Sequence, residues 1–170
     1  MQIPLNTGDM IISRAAEADL HDILQLRLEA ANWLIGKGIQ QWNPQSMTAQ
    51  KVQDNYENAE LFIAKCNGWP VGSYSIQWSD AMIWKGRDQG DAGYIHKLVT
   101  NRECKGSDIG RQLLASAELY IQQKEKRLSR LDCMADNIRL NQFYVDAGYA
   151  FVTRLDAASW SASLYEKPLT

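Results

Sequence analysis

A mixed α/β fold follows from three observations on the 170-residue chain. Ile109, Leu113, Leu114, Ala117, Tyr120 and Ile121 recur at helical spacing and mark an amphipathic helix with one broad apolar face. Two β-branched and aromatic runs, residues 61–65 and 71–78, flank Asn67-Gly68, a pair that favours a tight hairpin turn. Extended and helical segments alternate along the remainder in the order β, α, α, β, β, β, α, β, α, β, β. That order describes a central mixed, mostly antiparallel sheet flanked by helices. No repeat, low-complexity tract or Pro/Ser-rich linker interrupts it, so residues 1–170 read as a single domain.

Each element has a local reason. Residues 10–15, MIISRA, read as a short first strand. Asp19 or Glu17 opens a helix whose stripe is Leu20, Ile23, Leu24, Leu28 and Ala31, and Gly36 and Gly38 end it. GIQQWNP is a turn region, and a second helix, poorer in apolar residues, covers 48–58. After the hairpin, residues 79–92 form a polar loop that leads into a strand over 93–100. Lys124 to Arg127 close the amphipathic helix, and 128–134 is the next strand. A short helix over 138–147 stops at Gly148, a left-handed stop signal, before strands at 149–153 and 161–166.

Composition narrows the function. Hydrophobic residues make up 45%, charged residues 22%, and the formal net charge is −2, the profile of a globular domain. A basic surplus of the kind that binds nucleic-acid backbones is missing, so no nucleic-acid partner is expected. The six tryptophans lack the accompanying basic run that base stacking would want, and read as core or pocket walls. Cys66, Cys104 and Cys133 are odd in number and far apart, which suits reduced thiols in a cytoplasmic protein. Neither a signal peptide nor a membrane span is expected. No Cys/His spacing suits zinc, so no metal is expected, and no GK[ST] marks a phosphate loop. GSDIG is not a nucleophile elbow, since its Ser is not centred between the glycines.

Chemistry concentrates at residues 101–114, NRECKGSDIGRQLL. A helix N-terminus carries unpaired N–H groups and partial positive charge, so it takes anions readily. Gly106 and Gly110 let a phosphate approach the backbone, while Lys97, Arg102, Lys105 and Arg111 add cations. The same residues also read as an ordinary capped start, because Ser107 and Asp108 are both favoured N-caps.

The segment IHKLVTNRECKGSDIGRQLLASAE resembles the acetyl-CoA-binding segment of the GCN5-related N-acetyltransferase (GNAT) superfamily. In that signature a basic or Gln residue, two residues, a Gly, one residue and a Gly or Ala follow a strand and open a helix. Here Lys105 to Gly110 fill it, with Asp108 where a glycine is expected. A second stretch, NIRLNQFYVDAGYAF, is similar to the family's later helix and strand through Asn137, Tyr144 and Gly148-Tyr149. GIQQW resembles a stretch near the acceptor side of some members.

The resemblance implies acetyl transfer from acetyl-CoA to an amine of a small molecule, amino acid or peptide, by direct attack through a tetrahedral intermediate. A non-catalytic acyl-CoA sensor on the same fold is the alternative. Leu98, Val99 and Thr100 would pair with the pantetheine arm, and Lys105, Gly106, Ser107, Asp108, Ile109, Gly110 and Arg111 would hold the pyrophosphate. Asn137 and Tyr144 complete the implied cofactor contacts. Tyr144 is the candidate acid for the departing thiolate, since a phenol near pKa ~10 can donate to it; a packed core tyrosine is the other reading. His96 is the candidate base on its ordinary pKa of ~6.5, against a purely structural role. By period two it shares a strand side with Leu98 and Thr100. Glu29 and Asp80 are further carboxylates, and His21 reads as a surface residue. Trp33, Trp42, Trp78 and Trp84 are candidate pocket walls around the acceptor. Homodimers are common in the family, so a homodimer is an allowed assembly.

Overall fold

The computed structural model describes residues 10–104 and 107–170. The elements are β1 (Met10–Arg14), α1 (Leu20–Gly36), α2 (Ala49–Asn58), β2 (Glu60–Cys66), β3 (Trp69–Gln77), α3 (Ala81–Trp84), β4 (Ala92–Thr100), α4 (Ile109–Gln123), β5 (Leu128–Met134), α5 (Ile138–Asp146), β6 (Ala150–Asp156) and β7 (Ser161–Pro168). The strands follow the order β1-β2-β3-β4-β5-β7-β6. β4 and β5 pair in parallel, whereas β1–β2, β2–β3, β5–β7 and β6–β7 are antiparallel. This is the mixed, mostly antiparallel sheet with helices that the sequence predicts.

Contacts group the chain into two compact units: residues up to Ile76 with Lys97–Ala117, and Gln77–His96 with Glu118–Thr170. In the first unit, Cys66 pairs with Trp69 across Asn67 (φ 50) and Gly68 (φ 82), the two-residue turn expected of that dipeptide. α1 and α2 bury Ile23 and Val52 against Ala15, Leu61 and Ile63, while Leu26 and Ala30 meet Val99. The α1 stripe differs from the sequence reading in phase. Leu28 is only half-buried, and Arg27 is buried in its place. Thr48 caps α2 by accepting from Lys51 N at 3.2 Å.

In the second unit, α5 ends in a left-handed glycine, Gly148 (φ 92). Tyr149 N–H donates to Tyr144 O and Gly148 N–H to Val145 O, both at 3.0 Å, which satisfies the last carbonyls and fixes Tyr149 against Tyr144. The segment 79–92 departs from its expected looseness. It contains α3 and a 3-10 turn over Lys85–Arg87, and Trp84 is buried against Ala92, Tyr94, Ala162 and Leu164. Trp84 is therefore core rather than pocket wall, because its indole has apolar neighbours on β4 and β7. The three cysteines are buried and none is in a disulfide. Burial pushes the Cys133 thiol up to about 12, with Asp132 adding to the effect, and raises Cys104 as well.

Candidate active site

The first set of candidate residues lies in the second unit and starts from a carboxylate that shapes a loop. Asp88 accepts from Ser79 Oγ–H at 2.6 Å, from Asp80 N–H at 2.9 Å and from the Tyr94 hydroxyl at 2.8 Å. The hydrogen bond from Ser79 leads in holding its carboxyl below the usual range. Asp80, pinned by its backbone, caps α3 through Oδ1 (3.4 Å from Ile83 N). Its Oδ2 stands 3.1 Å from His96 Nε2.

His96 is half-buried on β4. The β4–β5 ladder ends at Ile95↔Leu131, so His96 and Asp132 are the first residues beyond the last rung. Ligand atoms of Asp80, His96 and Asp132 all lie within 4.8 Å of one another. Sequence reading named His96 and Asp80 but missed Asp132. No local motif links it to His96; only the parallel register does. The trio can orient and charge-balance an imidazole, and its N and O atoms are of a type that also binds divalent cations.

Tyr144 sits on α5, buried among Phe143, Tyr149 and Tyr165 with ring centroids 5.3, 6.0 and 6.2 Å away. Burial, followed by the nearby Cys133 and Asp132, raises its phenol well above the ordinary tyrosine value, so the hydroxyl keeps its proton at neutral pH. Asp132 is thus close enough to act electrostatically on Tyr144 and also borders His96. Asn137 is the N-cap of α5, accepting from Leu140 N at 3.2 Å. Asn141, which the sequence did not single out, donates to Met134 O, Ala135 O and Asn137 O and accepts from the Tyr165 hydroxyl at 2.7 Å. It ties the start of α5 to the end of β5.

The other candidates lie in the first unit. Leu98, Val99 and Thr100 close β4, with Val99 buried in the core. Lys97 takes φ 54, a left-handed conformation inside a strand. This interrupts the alternation, so the period-two argument placing His96 beside Leu98 and Thr100 does not carry across it. Lys105 and Gly106 lie outside the described residues. Ser107 Oγ–H donates to Cys104 O, so its hydroxyl orders the turn. α4 starts at Ile109, and Gln112 N–H donates to Asp108 O at 3.0 Å in its first turn, the end of a helix where N–H groups run short of intrahelical acceptors. Asp108 is exposed, and its Oδ1 lies 3.7 Å from Arg111 Nε. The acid that replaces the expected glycine is therefore offset by its own neighbour one turn on. Arg102 does not face this turn as a spare cation; its guanidinium stacks 4.2 Å over Trp33.

The first unit also holds a cavity of about 360 Å³, lined among others by Arg27, Trp42, Met47, Thr48, Asn55 and Lys97. Trp42 is thus a pocket wall, as the sequence suggests. Trp33 is taken up by Arg102, and Trp78 packs 6.2 Å from Tyr120 in the second unit.

A family model described as the acetyltransferase (GNAT) family matches residues 20–149. The chain belongs to the GNAT family. It is 29% identical over 164 residues to YesJ, an uncharacterized N-acetyltransferase of Bacillus subtilis (strain 168), covering 92% of this chain and 88% of that one. Among solved structures it resembles a GNAT-family acetyltransferase from Listeria monocytogenes 4b F2365, at 25% identity and a TM-score of 0.79, over 94% of this chain and 95% of that one. The yncA structure from Salmonella typhimurium, solved with its cofactor acetyl-CoA, shares the fold at 16% identity and a TM-score of 0.71, over 95% and 94% of the two chains. As a GNAT N-acetyltransferase, the protein moves an acetyl group from acetyl-CoA to an amine. The residues fit that co-substrate, since the helix start of α4, with Arg111 in its first turn, suits a pyrophosphate. No helix among the described residues is long and apolar enough to cross a membrane.

Proposed function

We propose that this GNAT enzyme acetylates the amine of a small molecule or peptide in the cytoplasm, with His96 as base and Tyr144 as acid. The observation that carries the reading is the Asp80–His96 pair at 3.1 Å on the first rung beyond the β4–β5 ladder, with Asp132 beside it. Asp80 Oδ2 stands 3.1 Å from Nε2, and its negative charge favours uptake by the ring of a proton from the incoming ammonium. The imidazolium formed meets a carboxylate already in place. Acetyl-CoA supplies the acyl carbon and a thiolate leaving group. As the N–C bond forms and the C–S bond breaks, the electron pair goes to sulfur, Tyr144 gives that sulfur its proton, and the second proton leaving the new amide nitrogen restores the phenol. Burial keeps that phenol protonated at neutral pH, so a proton is present for the step. Leu98, Val99 and Thr100 offer an edge to the amide-bearing arm of the co-substrate. Ser107, Ile109, Gly110 and Arg111 face its pyrophosphate, and Asn137 holds α5, and with it Tyr144, in place.

Two variants test the roles. Tyr144→Phe should lower kcat about 100-fold with the acetyl-CoA Kd unchanged. An unchanged kcat removes Tyr144 from the acid role. Asp80→Asn should lower kcat about tenfold and move the acidic limb of the kcat pH profile, because the imidazole loses its orienting charge. A drop with no movement of that limb would make Asp80 structural only.

A further inference from the structure

We propose that the cavity at Arg27 is a carboxylate-recognition site, which restricts the acceptor to small amines that carry a carboxylate, such as α-amino acids. The amine half of this statement rests on the acetylation reading above; the carboxylate half rests on the first unit alone.

Arg27 is 4% exposed, on the buried face of α1. A guanidinium has five N–H donors. Its Nη2 donates to Asn55 Oδ1 at 2.7 Å, a neutral acceptor, and its buried Nε has no hydrogen-bond partner. No carboxylate among the described residues pairs with it. A buried charge in that condition is expensive, and proteins rarely keep one without a counter-ion. Burial alone draws Arg27 down to about 10, still charged at neutral pH. No described residue supplies the missing anion, and the cavity beside Arg27 offers a place for a bound one.

The rest of the cavity fits that anion. Lys97 lines it with a second cation, held over the Trp42 ring with Nζ 5.6 Å from the centroid. Lys97 does so from a left-handed backbone, a strain that recurs where function requires a residue in one place. Lys51 adds a third cation at the exposed rim. The single acid on the wall, Asp54, is exposed and accepts from Gln50 Nε2 at 2.9 Å. Trp42, Met47 and Val52 give an apolar wall for a side chain. A volume of about 360 Å³ is at the small end of ligand pockets, which suits an amino acid. A planar carboxylate matches the guanidinium fork, which favours it over a point anion such as chloride.

The test has two arms on the full chain. In the first, kcat/KM is measured with acetyl-CoA for the common α-amino acids and for their carboxamides, using wild type, Arg27→Gln and Lys97→Asn. Asparagine tolerates the left-handed backbone at position 97. The expected result is at least one amino acid preferred about 30-fold over its carboxamide, a ratio that collapses toward one in R27Q and falls part-way in K97N. Equal rates on acids and carboxamides in wild type, or a ratio that survives R27Q, would overturn the proposal. In the second arm, thermal unfolding is followed with the deaminated acids and their amides, which cannot be acetylated. A carboxylate-specific rise in Tm that R27Q loses supports the site even if no amine is turned over. That pattern would sink the acceptor reading alone. A rise shared by acids and amides, or none, overturns the carboxylate site. If R27Q does not fold, K97N decides both arms by the same criteria.

Discussion

Two buried arginines, one in each unit, show how differently the same side chain can be used. Arg130 in β5 is 6% exposed, and Arg27 in α1 is 4% exposed. Arg130 donates from Nε to Glu166 at 3.0 Å and from Nη1 to Arg87 O and the Tyr94 hydroxyl, and it stacks 4.7 Å over Trp84. Burial opposes its charge, but the bonds to Tyr94 and Glu166 outweigh that and raise it above the ordinary value. Arg27 has Asn55 and, among the described residues, no acid, and burial lowers it unopposed. One guanidinium is a completed joint of the fold. The other is half of a pair whose second half is a ligand. Burial of a charge therefore does not report its role; the inventory of its partners does.

The contrast yields graded expectations. Arg130→Met should cost about 3 kcal/mol in chemical denaturation, because Glu166 and the Arg87 carbonyl lose their donor inside the unit. A loss near zero would put Arg130 in the same class as Arg27. Arg27→Met should raise stability by about 1 kcal/mol, since an uncompensated charge is replaced by an apolar chain of similar length. The sign with pH follows from linkage. Arg27 has a folded pKa of about 10, below its unfolded value, so the folded state is disfavoured while the group is charged, and that penalty fades as pH rises through about 10. The advantage of R27M over wild type should accordingly hold up to about pH 9 and shrink from about pH 10 upward, as the folded state sheds a proton that the unfolded chain keeps; an advantage constant with pH would detach it from the charge. The smallest effect concerns Asp108. Asp108→Gly removes an exposed acid near the α4 start and releases Arg111, so the acetyl-CoA Kd should tighten about threefold. A weaker complex would show that Asp108 orders the turn.

Sequence pattern carried the element order and the α4 face, because periodicity over a long amphipathic stretch reports burial directly. Ile109, Leu113, Leu114, Ala117 and Ile121 are all buried as their spacing requires. Gly148 and Asn67-Gly68 were equally legible, since few residues accept a positive φ. What escaped depends on residues distant in sequence. Asp132 meets His96 only through the parallel register of β4 and β5, and Arg27 is hidden in α1 by a one-residue shift of the stripe. The 79–92 segment read as a loop because its order comes from particular bonds, Ser79 and Asp80 to Asp88 within it and Arg130 to the Arg87 carbonyl from β5, rather than from periodicity.

An enzyme that releases a thiol at every turnover faces an exchange hazard from its own cysteines. Thiolate is the attacking species in disulfide exchange, and a raised pKa lowers its fraction. With Cys104 and Cys133 buried and held as thiols, and Cys66 buried as well, the chain offers coenzyme A no accessible thiolate to couple with. Oxidative inactivation by mixed disulfide with the reaction product is thereby slowed, and thiol-reactive dyes will count released coenzyme A against a protein background close to silent.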